Sequence, residues 1–515
     1  MNKKSIAGAA AAVVALAYGG ATWYAGEQAR TSYEDIVQKA KDIFGPQAVL
    51  SHRYQRGFWV SEAQVVLQWT PPDTQAEGNG EGDGAPARTP VRVVVDSTVR
   101  HGPLAGARVA GAVVQTRFSA DGMDDRARGM LARASAPTLT TVRHLTGGVE
   151  LTFSLPAGEL GTDGEALVRW QAMTHQMNVN ADRSEVSGTV AWPELTLSTV
   201  LAQAFAADDA EGGAQEDEEA PEENESESGN EDESDTGEGS DAAGPAATSR
   251  TTVAMKGLSG DFRMQLQDGL WMVGPGQING RVQQIAMDRT QGQNPAQSVF
   301  SLQDLAYSTV LERTGETLGW TTRAQSPKAS FGSLAFDALG LEEHTSRMDL
   351  EVLKRAQQAL VAFYRVGPGQ SAQTMASQWE ETVQEVAPRF VAALPAYTMK
   401  MSGTLDGQHG EMEYGARIDA APSADEVRLA GWTPAVLRAS VLHANLRLPK
   451  AWLPRMAQAA GDRAVPGPQI GQWVGMAKAQ GFVVEEGSLL VSAVQFKEGK
   501  LRLNDKELRL PGMPR

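Results

Sequence analysis

The sequence predicts a strand-rich α+β fold: a transmembrane helix, then a long antiparallel, curved sheet with two helical interludes and a disordered acidic insertion. Three observations carry this. An uncharged run opens the chain. Alternating apolar residues recur in short stretches separated by Gly, Asp and Asn, the mark of half-buried strands. One long block is too acidic and too poor in apolar residues to pack.

The elements follow in order. After Met1-Asn2-Lys3-Lys4 come 22 uncharged residues, Ser5 to Gly26. As a helix at ~1.5 Å per residue they span ~33 Å, enough for a hydrocarbon core. Lys3 and Lys4 would stay cytoplasmic, with Trp23 and Tyr24 at the far interface. Ala15-Leu16-Ala17 also fits a signal-peptide cleavage site. The retained anchor is preferred because the uncharged run continues past that point. Thr31 to Phe44 reads as an amphipathic helix ended by Gly45-Pro46.

Strands are expected at Phe58 to Trp69 and Val91 to Val99, joined by the polar loop Pro71 to Pro90, and then around Leu151 to Leu155 and Leu195 to Leu197. Phe262, Met264 and Leu266 run to an Asp268-Gly269 turn, after which Leu270 and Met272 return as a hairpin. Asp349 to Phe363 and Gln370 to Leu394 read as helices, the second interrupted by Pro388. A hairpin turned at Asp406-Gly407 follows, then a strand from Val441 to Leu448 and helical stretches around Lys450 to Ala459 and Ile470 to Ala477. Strands close the chain at Leu489 to Phe496, Lys500 to Leu503 and Glu507 to Leu510. The expected divisions are residues 1–4 cytoplasmic, 5–26 anchor, 27–205 β-rich, 206–249 acidic insertion and 250–515 the α+β continuation.

Charge sharpens the insertion. The chain carries 63 acidic and 46 basic residues, net −17, and 17 of the acidic residues lie between Asp208 and Asp241 with no Lys or Arg among them. The remainder is therefore neutral, which excludes a basic nucleic-acid binder. The tract lacks the Asp-x-Asp-x-Asp-Gly spacing of a calcium cage and reads as a solvated spacer between strands of one β region. Deleting Asp208 to Asp241 should leave the melting temperature nearly unchanged; a large drop would show the tract to be integral.

There is no cysteine, so disulfides, thiolate metal sites and cysteine nucleophiles are excluded. The seven histidines include no i, i+4 pair, and neither a Gly-x-Ser-x-Gly elbow nor a phosphate-binding Gly-Lys-Ser/Thr loop occurs. Gly274-x-Gly276 reads as a turn, and the scattered tryptophans read as core. His101-Gly102-Pro103-Leu104 follows a strand. His101 could donate a proton or bind metal, but a histidine capping a Gly-Pro turn carries more weight, because a lone imidazole lacks an orienting partner. Arg53 and Arg56 within Arg53-Tyr54-Gln55-Arg56-Gly57-Phe58 could meet lipid phosphate or a carboxylate; a salt-bridged lead-in to the strand is the stronger reading. No catalytic, cofactor-binding or metal-ligating residue is assigned.

In order along the chain, Gly20-Ala21-Thr22-Trp23-Tyr24-Ala25-Gly26, Tyr54-Gln55-Arg56-Gly57, His101-Gly102-Pro103-Leu104, Gly481-Phe482-Val483 and Val494 to Asn504 resemble the YdgA-like bacterial envelope proteins, domain of unknown function 945. Two features depart from that family: the acidic run, and Asn504-Asp505 where an Asn-Gly turn is usual. The latter implies a different turn or an Asp in the left-handed region. The resemblance implies an inner-membrane-anchored periplasmic protein with a long β-rich domain and no assigned activity. It marks Arg56, Gly57, His101, Gly102, Pro103, Gly499 and Asn504 as motif residues of structural character. The expected role is a non-enzymatic scaffold or binding protein whose partners are the inner membrane through residues 5–26, phospholipid, or other envelope proteins. A periplasmic hydrolase is the alternative, and it would need His101 or His52 to meet a carboxylate in a cleft.

Overall fold

The computed structural model describes residues 3–69, 91–121, 133–161, 166–201, 249–266, 274–292, 294–365, 372–459, 467–504 and 506–508. The acidic insertion, the Pro71–Pro90 loop and the Asp268-Gly269 turn with Leu270 and Met272 lie outside them. The strand-rich α+β expectation holds. Among the described residues, nearly all strands join one antiparallel sheet in which most pairs are adjacent along the chain, while Val149–Leu155 pairs with Met173–Val179 and Ala166–Trp170 with Glu185–Leu201 across intervening strands. Such pairing needs only short reversals, so the alternating pattern translates directly into adjacency.

The acidic tract connects two such neighbours. The strands Glu185–Leu201 and Ser249–Gln265 pair along their whole length, from Glu185 opposite Gln265 to Leu201 opposite Ser249. The tract is thus an insertion at a hairpin end within one sheet.

One face of this sheet is apolar. Trp170, Leu195, Met255, Ile285, Leu302, Ala329, Phe336 and Leu405 stand opposite one another in a row across successive strands. A second row crosses Ala324, Leu341, Met401, Met412 and Leu446. Within each long strand the apolar alternation slips by one residue at the same transverse line: Trp192 to Leu195, Met255 to Leu258, Val282 to Ile285, Leu302 to Leu305 and Phe336 to Leu339. A regular strand would turn the second set to the opposite face. Here the line carries irregular backbone, with positive φ at Gly257 (64°) and Asp304 (51°). A Cβ placed on Gly403 would lie 3.2 Å from both Leu339 and Phe336, so the two rows share a side. The irregular positions act as bulges that restore the apolar side chains to one face. The reverse face is polar: Ser301 and Ser330 hydroxyls meet at 2.9 Å, and Arg323, Glu342, Lys400 and Glu413 form a cross-strand row of alternating sign.

Helices cover the ends of the sheet. The first runs unbroken from Lys3 to Phe44, joining the expected anchor and the expected amphipathic helix into one element. Among the described residues no helix is long and apolar enough to cross a membrane. The physical reason is composition: Ser5 to Gly26 is Ala/Gly-rich, with few strong apolar side chains. Among the described residues three helical interludes occur rather than two: Leu350–Arg365 with Ala372–Ala392, Ala424–Ala430 with Trp432–Ala439, and Trp452–Ala459 with Gly467–Gln480. The missed middle pair begins with a capping box, Ser423 with Glu426, whose Ser-x-x-Glu spacing is visible in the sequence. Pro388 lies inside its helix and does not interrupt it.

The helix Leu350–Arg365 starts on Asp349, whose Oδ1 accepts from the backbone N–H of Glu351 (2.9 Å) and Val352 (3.1 Å). Arg389 from the following helix holds the same carboxylate. Leu350 and Leu353 then pack on Leu311 and Leu318 at the edge of the apolar face.

Candidate functional site

The amino-terminal motif residues converge where the long helix reaches the sheet. Tyr54 lies in the first strand, Val49–Gln55, and Arg56-Gly57 form the turn into the second, Val60–Trp69. His101 ends the third, Val91–His101, and Gly102-Pro103 leave it. Pairing sets Ser61 opposite Val99 and Val60 opposite Arg100, which brings the two turns side by side. The His101 N–H then donates to the Trp59 carbonyl at 2.9 Å.

The centre of this seat is a fully buried polar contact. Ser61 Oγ lies 2.6 Å from His101 Nε2 and also accepts from the Gly57 N–H at 3.2 Å. Ser61 and His101 are 0% and 1% exposed. The helix rests directly on them: a Cβ on Gly26 would sit 3.7 Å from the imidazole, and one on Gly102 (φ 107°) only 2.7 Å from Thr22 Oγ1. Glycine at both positions lets helix backbone and turn approach to contact distance. Arg56 clamps the assembly from outside. It donates to Glu27 (2.7 Å) and to the Trp23 carbonyl (3.2 Å), and its guanidinium lies 5.0 Å over the Trp23 ring. Farther along, the Tyr33 hydroxyl donates to the Arg53 and Gln64 carbonyls, and its ring lies 5.2 Å from Tyr54. Thr22 to Gly26, the last turn of the expected membrane segment, therefore also belongs to the contact with the body.

A Ser–His contact invites comparison with nucleophilic catalysis. No third member stands beside it among the described residues: His101 Nδ1 is buried with no hydrogen-bond partner, and the Glu27 carboxylate is engaged by Arg56. Ser61 is closed to solvent, so no substrate could reach its Oγ in this arrangement. What the geometry does is fix the helix on the sheet. Burial, and secondarily the charge of Arg56, hold the His101 pKa below the ordinary histidine value. In the pH interval below the ordinary value of about 6.5, the unfolded chain binds a proton that the folded chain refuses. Stability should thus be constant above that value and fall as pH drops through it. His101→Gln should flatten that slope in urea unfolding measured across pH; an unchanged slope would mean His101 is protonated in the folded state.

The carboxyl-terminal motif residues form a second knot. Asp505 lies outside the described residues, and Asn504 itself adopts φ 46°. Its Oδ1 accepts from the Ala493 N–H (2.8 Å), and its Nδ2 donates to the carbonyls of Gly481 (2.8 Å) and Phe482 (3.0 Å). One side chain thereby ties the end of the helix Gly467–Gln480 to the strand Leu489–Lys497. Glu498 and Gly499, with φ 53° and 76°, form the tight turn before it. Asn504→Ala should cost about 2–3 kcal/mol, at about 1 kcal/mol per lost hydrogen bond, read from the urea midpoint.

The apolar sheet face is the other candidate. Leu197, Val253, Tyr307, Phe331, Met412, Tyr414 and Leu442 lie on it and remain exposed. Toward the carboxyl end it leads into a cleft of ≈ 250 Å³ lined by Leu446, Leu448, Leu490, Leu453, Trp473 and Val483. Among the described residues no group of three or more His, Cys, Asp or Glu side chains is placed to hold a metal ion.

No curated protein and no solved structure matches the chain. A family model does, over residues 1–511, and its description is "Bacterial protein of unknown function (DUF945)". The chain belongs to this family across its whole length, as the seat and knot residues suggested.

Proposed function

We propose that this is a non-enzymatic protein of the bacterial cell envelope that binds the acyl chains of phospholipid on the apolar face of its sheet. The observation that carries the reading is that face: rows of Leu, Ile, Met and Phe extending over successive strands, with Leu197, Val253 and Phe331 at 39%, 36% and 42% exposure. Exposed apolar surface of this extent is costly in water and marks a binding surface. The rows run across many strands, which suits an extended flexible hydrocarbon better than a compact polar substrate. In this reading the amino-terminal helix holds the protein at the inner membrane, with Lys3 and Lys4 cytoplasmic and the sheet in the periplasm. The uncharged, Ala/Gly-rich run then forms a marginal span supported by interfacial Trp23 and Tyr24.

Purified full-length protein should carry phospholipid through gel filtration, detected by mass spectrometry of an organic extract. A lipid-free preparation that also fails to take up a fluorescent fatty-acid probe would sink the proposal. The hydrolase alternative is disfavoured by the closed Ser61–His101 contact, and conversion of an ester substrate lost on Ser61→Ala would revive it.

A further inference from the structure

The end of the sheet at which the long helix arrives carries an apolar surface distinct from the face just described. Trp23 and Phe58 line one shallow cleft of ≈ 220 Å³ with Arg56, and Phe58 packs edge-on against Trp59 at 4.8 Å. Beside them the chain from Gly102 to Gly111 makes a small hairpin with Leu104 opposite Val109. Its inward side chains, Ala105 and Ala110, are buried against Val113 and Val142. Its outward ones, Leu104 and Val109, are 55% and 68% exposed. Gly111 continues this surface to Leu145, itself exposed, whose side chain lies within 4.0 Å of a Cβ placed there. A hairpin of this length could present polar residues outward at no cost in packing; this one presents Leu and Val.

Charge and chain direction identify what the surface faces. Arg100 precedes the hairpin and Arg108 lies in its second strand, both exposed, with the Arg100 guanidinium against Gly106. The helix contacts this end at Thr22 and Gly26 and the sheet interior at Tyr33, so its earlier residues lead away from the body on this side. Those residues are the uncharged run. The 17 acidic residues are attached at the opposite end, between Leu201 and Ser249. The patch around this hairpin is thus aromatic and apolar with two arginines, and the acidic tract is inserted at the opposite end of the sheet. This is the polarity expected of a body standing on an anionic bilayer.

We infer that the surface formed by Trp23, Phe58, Trp59, Leu104, Val109 and Leu145 docks into the headgroup region of a phospholipid bilayer, with Arg100 and Arg108 meeting lipid phosphates. The occupant is the bilayer itself, and the inference stands whether or not the sheet face carries acyl chains. Its consequence is an orientation: the strand ends nearest the helix rest on the membrane, and Leu201 and Ser249, which flank the acidic tract, lie at the end away from it.

Because the chain has no cysteine, single Val109→Cys, Leu145→Cys and Ser333→Cys variants of the full-length protein can each carry one spin label. Ser333 turns between the strands Lys328–Phe331 and Leu334–Asp349 at the opposite end of the sheet. In vesicles of phosphatidylethanolamine and phosphatidylglycerol, labels at 109 and 145 should be more accessible to oxygen than to a water-soluble nickel chelate, and the label at 333 the reverse. Adding Phe58→Ala and Trp59→Ala should move the 109 label toward water without changing the melting temperature. Water-like accessibility at 109 and 145 in the parent variants would overturn the inference. So would spin–spin broadening at those sites, which would mark a second copy of the chain as the occupant.

Discussion

Gly57→Ala is expected to be among the most damaging single substitutions in the protein, destabilising it by about 3 kcal/mol or more. An added Cβ would stand 1.9 Å from the Val60 carbonyl oxygen and 3.1 Å from its carbon, both backbone atoms that cannot swing aside. Relief requires opening the turn from Arg56 to Val60, and that turn holds three things at once. Gly57 N–H is the donor to Ser61 Oγ, Ser61 is the partner of His101, and Arg56 is the clamp on Glu27. Losses of this size follow when a substitution breaks a buried network and strains backbone together. The helix should come off the sheet, so trypsin should cut at Arg30 in the variant under conditions that spare the parent. A variant with parental urea midpoint and parental protease resistance would show the turn to be pliable, and the seat less important than its geometry implies.

The second large effect concerns the apolar face. Val253→Asp with Phe331→Asp should reduce binding of a fluorescent fatty-acid probe at least tenfold while leaving the circular dichroism spectrum intact. Both side chains are part-exposed on the apolar face, in rows that include Leu197, Met287 and Phe300. A carboxylate there retains enough hydration to fold but disrupts any hydrocarbon laid across it. The matched control is Ser301→Asp with Ser330→Asp on the reverse face. Equal loss from both pairs would indicate unfolding rather than loss of a binding surface.

How much of this was legible beforehand depends on the range of the interaction. The alternation of Leu, Phe and Met with polar residues is a local property, so the strands and the Asp406-Gly407 hairpin could be read directly. The anchor and the Thr31 to Phe44 helix read as two elements because one is Ala/Gly-rich and the other amphipathic; only the structure joins them. The Ser423–Glu426 capping box was available as a signal but stands before a short helix with weak periodicity. The motif residues Arg56, Gly57, His101 and Gly102 could be singled out as unusual. Nothing in their spacing indicates that His101 has Ser61 as its partner, because the contact spans 40 positions and depends on strand register.

What the sequence by itself determined is the sheet-forming alternation, the confinement of the net acidic charge to one tract, and the exclusion of cysteine chemistry. Each depends on residue type and near neighbours alone. Tertiary structure decided the rest. The slip in alternation at Gly257 and Asp304, which read locally breaks the pattern, becomes a single apolar face only when the strands align and every slip falls on one line. His101, a lone histidine in the sequence, becomes the floor of a helix seat because antiparallel pairing carries two distant turns to the same place. Local periodicity sets which residues can share a face; register and long-range packing set which of them meet.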